Sequence, residues 1–179
     1  AGPGVRACED LAETTLEQWK RLLDINLWGP LYHVYAFLPS MIERKDGQIV
    51  NISSGQAFIR MPTWGAYAAV KTALAVFSEI LHYEVHKHNI HVTTVYPFMV
   101  NTGFYKDVTA QAQTFGARMS MKLLPYYSYT PEKTARVIFN AVRRRKKTEM
   151  ASVLNGMAFY GQVVPFFTDL MSWSSNLFL

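Results

Sequence analysis

The chain has one cysteine, little charge and no long apolar run. A single Cys, Cys8, cannot close an internal disulfide, so a disulfide-stapled secreted scaffold is excluded. Lone cysteines of this kind usually serve as small packing residues. Charged residues make up only 17% of the chain and hydrophobic ones 50%, which is a globular composition and excludes a disordered one. No stretch reaches 18 apolar residues: the segment from Met150 to Leu179 carries one charge, Asp169, but Asn155, Gly156, Gly161, Gln162 and Pro165 interrupt it. It does not read as a transmembrane span. The first residues, AGPGVRACEDLAETT, lack an initiator Met, a basic n-region and an apolar h-region. They are not a signal peptide and read as a loop caught in mid-sequence. Ser53-Ser54-Gly55 lacks the Gly-x-Ser-x-Gly setting of a nucleophile elbow, which counts against a serine hydrolase. His82 and His86 have metal-ligand spacing, but the Glu in His-Tyr-Glu-Val-His is misplaced for a zinc protease, so no metal site is expected.

Aromatics, at 14%, and eight methionines are abundant, as in a greasy pocket, a buried interface or an ordinary core. The formal net charge is +5, much of it in the run Arg143-Arg144-Arg145-Lys146-Lys147. Such a run suits either a solvated helix end or an anionic lipid surface. No aromatic residues interleave with it, so nucleic acid is not an expected partner.

The length, 179 residues, suits one domain, 1–179. Thr14 with Glu17, or Thr15 with Gln18, fits a capping box opening a helix from about Leu16 to Arg44. Gly29-Pro30 predicts a kink or break in it. Gln48–Ile52 reads as a strand, residues 63–88 as a second long helix ended by Asn89, and His91–Tyr96 as another strand closed by Pro97. Residues 98–130 are irregular, and a loop this long is usually functional. Thr130-Pro131 opens a third helix that runs to about Arg145, and Glu149 to Leu154 reads as a last strand. Strands alternating with long helices imply a doubly wound α/β fold with a parallel sheet.

The chemistry lies in Tyr67-Ala-Ala-Val-Lys71. Tyr and Lys four residues apart share a helix face. A phenol, with a pKa near ~10, is a poor acid-base at neutral pH. A cation a few Å away favours the phenolate, so Lys71 is expected to hold Tyr67 below its ordinary value and make it a usable proton donor and acceptor. Ser54 stands thirteen residues earlier at a strand end, where doubly wound sheets bind ligands. Its hydroxyl can bond a substrate oxygen while Tyr67 protonates it. Asn26 falls in the middle of the first long helix, where Asn needs a reason. An exposed backbone carbonyl or amide that holds a water would be one.

Asn26, Ser54, Tyr67 and Lys71 match, in order and spacing, the tetrad of the short-chain dehydrogenase/reductase family, and over about residues 1–150 the chain resembles that family. Ala1-Gly2 looks like the end of its Asn-Asn-Ala-Gly segment, Gly47 to Ser54 like the strand before its catalytic Ser, and Tyr96-Pro97-Phe98-Met99-Val100-Asn101-Thr102 like its Pro-Gly-x-Val-x-Thr segment. Phe98 replaces the Gly of that last motif. The resemblance implies a Rossmann-like catalytic part without its first strands and Gly-rich loop, hence an N-terminally truncated chain. It implies that Tyr67 is general acid or base, that Lys71 tunes it and binds the nicotinamide ribose, that Ser54 polarises the carbonyl and that Asn26 holds a relay water. Ala1, Gly2, Tyr67, Lys71, Pro97, Val100 and Thr102 would be the cofactor contacts. The cofactor would be NADP or NAD, a choice made after the family's second strand, which these residues do not include.

Residues 103–130 and 150–179 are expected to shape the substrate pocket. Phe104, Tyr105, Phe115, Met119, Met121, Leu123, Leu124, Tyr126 and Tyr127 make that loop apolar, which favours a lipophilic small-molecule substrate over simple packing. The whole is similar to the membrane-associated retinol and 17β-hydroxysteroid dehydrogenase branch. That similarity implies a retinoid, steroid or long-chain alcohol as substrate. For the tail, packing on the core, an oligomer face and a membrane surface all stay open. The expected protein is cytoplasmic or peripherally membrane-associated, and homo-oligomeric at full length by family resemblance. The competing readings are a non-catalytic binding protein of the same fold and an inactive fragment without a phosphate site, prone to aggregate.

Overall fold

The computed structural model describes residues 9–59, 61–97, 99–102, 128–151 and 153–161. Thr15 caps the first helix, α1 (Leu16–Leu23), with both arms of a capping box: it accepts from the Gln18 N–H at 3.2 Å, and Gln18 Oε1 accepts from the Thr15 N–H at 2.6 Å. Thr14 instead donates to the Asp10 carbonyl. A π-helical turn, Asp24–Trp28, joins α1 to α2 (Gly29–Arg44). The break expected at Gly29-Pro30 therefore lies just before it. Pro30 sits in the first turn of α2, where its missing N–H costs nothing. Lys45, left-handed at φ 52°, ends α2.

Strand β1 (Gly47–Ile52) leads through a short 3-10 turn, Gly55–Ala57, to α3 (Gly65–Val85). That helix starts two residues later than expected because Thr63, at φ 67°, cannot be helical. Asn89, also left-handed, closes the 3-10 turn His86–His88 and starts β2 (Ile90–Tyr96). Helix α4 (Pro131–Arg143), capped by Thr130, precedes β3 (Thr148–Met150). The order is β1-β2-β3, all parallel, with Gly47 opposite Ile90, Ile52 opposite Val95, and Tyr96 opposite Met150. The Rossmann-like α/β fold is thus present with a three-stranded sheet among the described residues.

The last expected strand needs correction. Glu149 to Leu154 is not one extended run: β3 stops at Met150, and Val153–Gly161 forms a helix, α5. The ladder of β3 to β2 closes with the Ala151 N–H on the Tyr96 carbonyl at 3.2 Å. An apolar run of that length does not itself separate strand from helix.

Three apolar clusters hold the layers. Val34 of α2, Leu81 and Val85 of α3, and Ile90 and Val92 of β2 form one. Leu22 of α1 packs with Trp64, Tyr67 and Val70 in the second. Phe58, Ala75 and Tyr96 form the third, and Phe159 of α5 closes on it. Burying each such side chain contributes roughly 1.5–3 kcal/mol. The second and third clusters flank the carboxyl ends of β1 and β2, and so fix whatever stands there. Among the described residues, no helix is long and apolar enough to cross a membrane.

Candidate active site

Ser54 is the second residue beyond the end of β1. Its backbone is extended (φ −160°), and its side chain caps the 3-10 turn by accepting from the Gln56 N–H at 3.2 Å. The ladder to β2 continues past both strand ends, because the Ser53 N–H bonds the Val95 carbonyl and the Gly55 N–H bonds the Pro97 carbonyl, each at 2.9 Å. Ser54 is thereby held at the carboxyl edge of the sheet.

Tyr67, in the first turn of α3, is 9% exposed and shares a hydrogen bond with Ser54. Trp64 meets its ring edge-on at 5.9 Å. Lys71 lies one turn further, 8% exposed, with Nζ 5.7 Å from the Tyr67 ring centroid and donating to the Ile52 carbonyl at 3.0 Å. Ser53 donates its hydroxyl to the Lys71 carbonyl at 2.8 Å, clamping α3 to the end of β1. Sequence reasoning missed Ser53 and the Ile52 carbonyl as positioning groups. The only signal for them was adjacency to Ser54.

Burial sets the electrostatics. It pushes the Tyr67 phenol above its ordinary value, opposed by the Ser54 hydrogen bond, and pushes Lys71 down to about 8. The expected depression of Tyr67 by Lys71 is therefore corrected: desolvation outweighs a cation 5.7 Å away that is already bonded to a carbonyl. At neutral pH Tyr67 is a loaded acid, O–H intact, with Ser54 beside it.

Asn26 sits in the π turn, 5% exposed, its side-chain amide donating to the Leu22 carbonyl at 3.1 Å. The donor that an α-helix would offer the Asn26 carbonyl belongs to residue 30, a proline without an N–H. That carbonyl therefore lacks its α-helical donor. The π turn packs on α3. Pro97 closes β2, and Val100 bridges Tyr129, with the Asn101 N–H bonding the Tyr129 carbonyl at 2.9 Å. Thr102 follows, exposed. Ala1, Gly2, Phe98 and the apolar loop residues from Phe104 to Tyr127 lie outside the described residues.

Residues 1–113 match the family described as short chain dehydrogenase. The chain belongs to that family. Among its relatives, the mouse dehydrogenase/reductase SDR family member 7B is 34% identical over 138 residues, 76% of this chain and 42% of that protein. A fatty acyl-CoA reductase of Acinetobacter baylyi is 33% identical over 99% of this chain and 57% of its own length. A short-chain dehydrogenase structure from Streptomyces avermitilis aligns with a TM-score of 0.71 at 24% identity, over 95% of this chain and 66% of that one. A Burkholderia cenocepacia short chain dehydrogenase in complex with NADP aligns at TM-score 0.73 and 17% identity, over 92% and 63%, which shows the fold. The chain spans about half the length of the curated relatives it matches. Within the short-chain dehydrogenase frame, the residues present fit the nicotinamide end of a dinucleotide. Lys71 uses one hydrogen on Ile52 and has two left for hydroxyls, and Pro97 accepts from the Gly55 N–H next to Ser54 at the sheet edge.

Proposed function

We propose that this chain is the catalytic part of an oxidoreductase that moves a hydride between NADP or NAD and a carbonyl or alcohol on a lipophilic substrate. The observation that carries this is a buried Ser54–Tyr67 hydrogen bond with Lys71 one turn away, at the carboxyl end of a parallel sheet. The cofactor, when bound, supplies or accepts the hydride. The protein's residues do the rest. Ser54 donates to the substrate oxygen and polarises it. Tyr67 gives its proton to that oxygen in reduction and takes it back in oxidation. Lys71 stabilises the phenolate left behind and, with Val100 and Thr102, would hold the nicotinamide ribose and carboxamide. The freed Asn26 carbonyl would hold a water that returns protons toward Lys71.

Two features support a lipophilic substrate of the retinoid, steroid or long-chain class. The sequence from Phe104 to Tyr127 is rich in apolar and aromatic residues. A relative described as a fatty acyl-CoA reductase aligns with nearly the whole chain. The test is turnover by the natural-length protein of aldehydes of increasing chain length, with each cofactor. Each buried methylene contributes about 0.8 kcal/mol, so kcat/KM should climb roughly fourfold per carbon through the first several. A flat profile would remove the lipophilic reading. No cofactor-dependent turnover of any carbonyl would favour the non-catalytic reading.

A further inference from the structure

A groove of about 560 Å³ opens between α4, β3 and α5, with Tyr129, the bridge partner of Val100, among its lining residues. It shares no lining residue with the tetrad. Its volume falls within the range, roughly 300–1,000 Å³, of small-molecule sites. Val137, Met150, Met157 and Tyr160 give it apolar walls. Met157 and Tyr160 are 60% and 75% exposed, large apolar side chains that the described residues leave uncovered. Gly156 forms part of the floor, and a Cβ added there would meet nothing within 4 Å, so the backbone itself leaves room.

The charges lining the groove are asymmetric. Glu149 is bonded to Lys146 at 2.6 Å. Lys133 has no carboxylate partner among the described residues, and its ammonium stands 3.8 Å over the Tyr129 ring. A cation at one end of a greasy groove complements an amphipathic anion.

We propose that this groove binds the free carboxylate of a long-chain acid, with the acyl chain along Val137, Met150 and Met157 and the carboxylate on Lys133. The site shares no lining residue with the tetrad, and binding there does not depend on the reaction proposed above. The probe is dodecanoate, kept below its micelle-forming concentration and titrated calorimetrically into the natural-length protein. One saturable site is expected. Gly156→Leu, which places a side chain in the open groove, should weaken binding at least about tenfold. Lys133→Met should weaken dodecanoate about fivefold, as for a partly exposed ion pair, and leave dodecanol unchanged. Retained cofactor-dependent turnover would show that each variant is folded. Binding equal to wild type in both variants would place the acid elsewhere and overturn the proposal. So would no saturable binding of the dissolved acid, or binding only to anionic vesicles.

Discussion

Helix α3 carries the tyrosines of two tyrosine–lysine pairs, one buried and one exposed. At its start, Tyr67 and Lys71 are both under 10% exposed, the ammonium stands 5.7 Å from the ring, and Ser54 bonds the phenol. Near its end, Tyr83 is 64% exposed and meets Lys147, which reaches over from the approach to β3. The second pair is the more intimate: Lys147 stands 4.2 Å over the Tyr83 ring, bonds its hydroxyl and pairs with Glu79 at 2.7 Å. Desolvation is the largest single influence on Lys147 and lowers its pKa, but its bonds and charge interactions with Glu79 and Tyr83 together outweigh it and raise the pKa, whereas desolvation pulls Lys71 down to about 8. Proximity of a cation therefore does not make a tyrosine reactive. What sets Tyr67 apart is removal from water beside a second hydroxyl, at the carboxyl edge of the sheet.

The largest contrast should come from removing each lysine. Lys71→Met should lower kcat/KM by about a hundredfold or more in a cofactor-dependent assay, while Lys147→Met should leave it within about twofold. The same Lys71→Met change should stabilise the cofactor-free protein. The Lys71 pKa is depressed from 10.5 to about 8, so the folded state disfavours the charge. Stability then falls as pH drops from about 10.5 to 8 and stays reduced below. Thermal or denaturant unfolding at pH 7 should show a gain of roughly 1–3 kcal/mol, shrinking toward pH 10. In wild type, loss of the Lys71 proton should give the free-enzyme pH profile an alkaline limb near 8, which Lys71→Arg moves upward.

Between the two pairs, α3 is pinned to β1 by Asn51, whose amide donates to Ser78 at 2.8 Å with both side chains buried. Ser78→Ala leaves that amide unpaired and should cost about 1–3 kcal/mol in denaturant unfolding. The smallest effect belongs to the exposed end of the sheet. His91 is bonded to Arg145 at 3.1 Å, and slight burial together with Arg145, His86 and His82 lowers its pKa against the opposing pull of Asp46. Its contribution to stability is present above about pH 6.5 and is lost as pH falls through the lower folded value. His91→Gln should flatten the acid side of the stability profile and leave activity unchanged.

Much of the site was legible in the sequence because its spacing is a backbone matter. A tyrosine and a lysine four apart must share a helix face, and a serine after a β-branched run must end a strand. Asn26 was legible as an anomaly and Gly29-Pro30 as a break, but not that the break falls on Asn26. A proline disturbs the helix at the carbonyl four residues before it, so Pro30 acts on Asn26 and the π turn precedes Gly29. The direction of the Tyr67 shift was not legible, because sequence shows neighbours in the chain and not exclusion from water. The start of α5 was read as strand because a short apolar run does not itself separate strand from helix.

The most direct measurement compares Tyr67→Phe with Tyr83→Phe in the natural-length protein, reading cofactor-dependent turnover of a long-chain aldehyde. Tyr67→Phe removes the buried proton donor and should lower kcat by about a hundredfold to ten-thousandfold, while Tyr83→Phe keeps kcat near wild type. Turnover that survives Tyr67→Phe, or that falls equally in both variants, would contradict the assignment of Tyr67 as the acid that protonates the substrate.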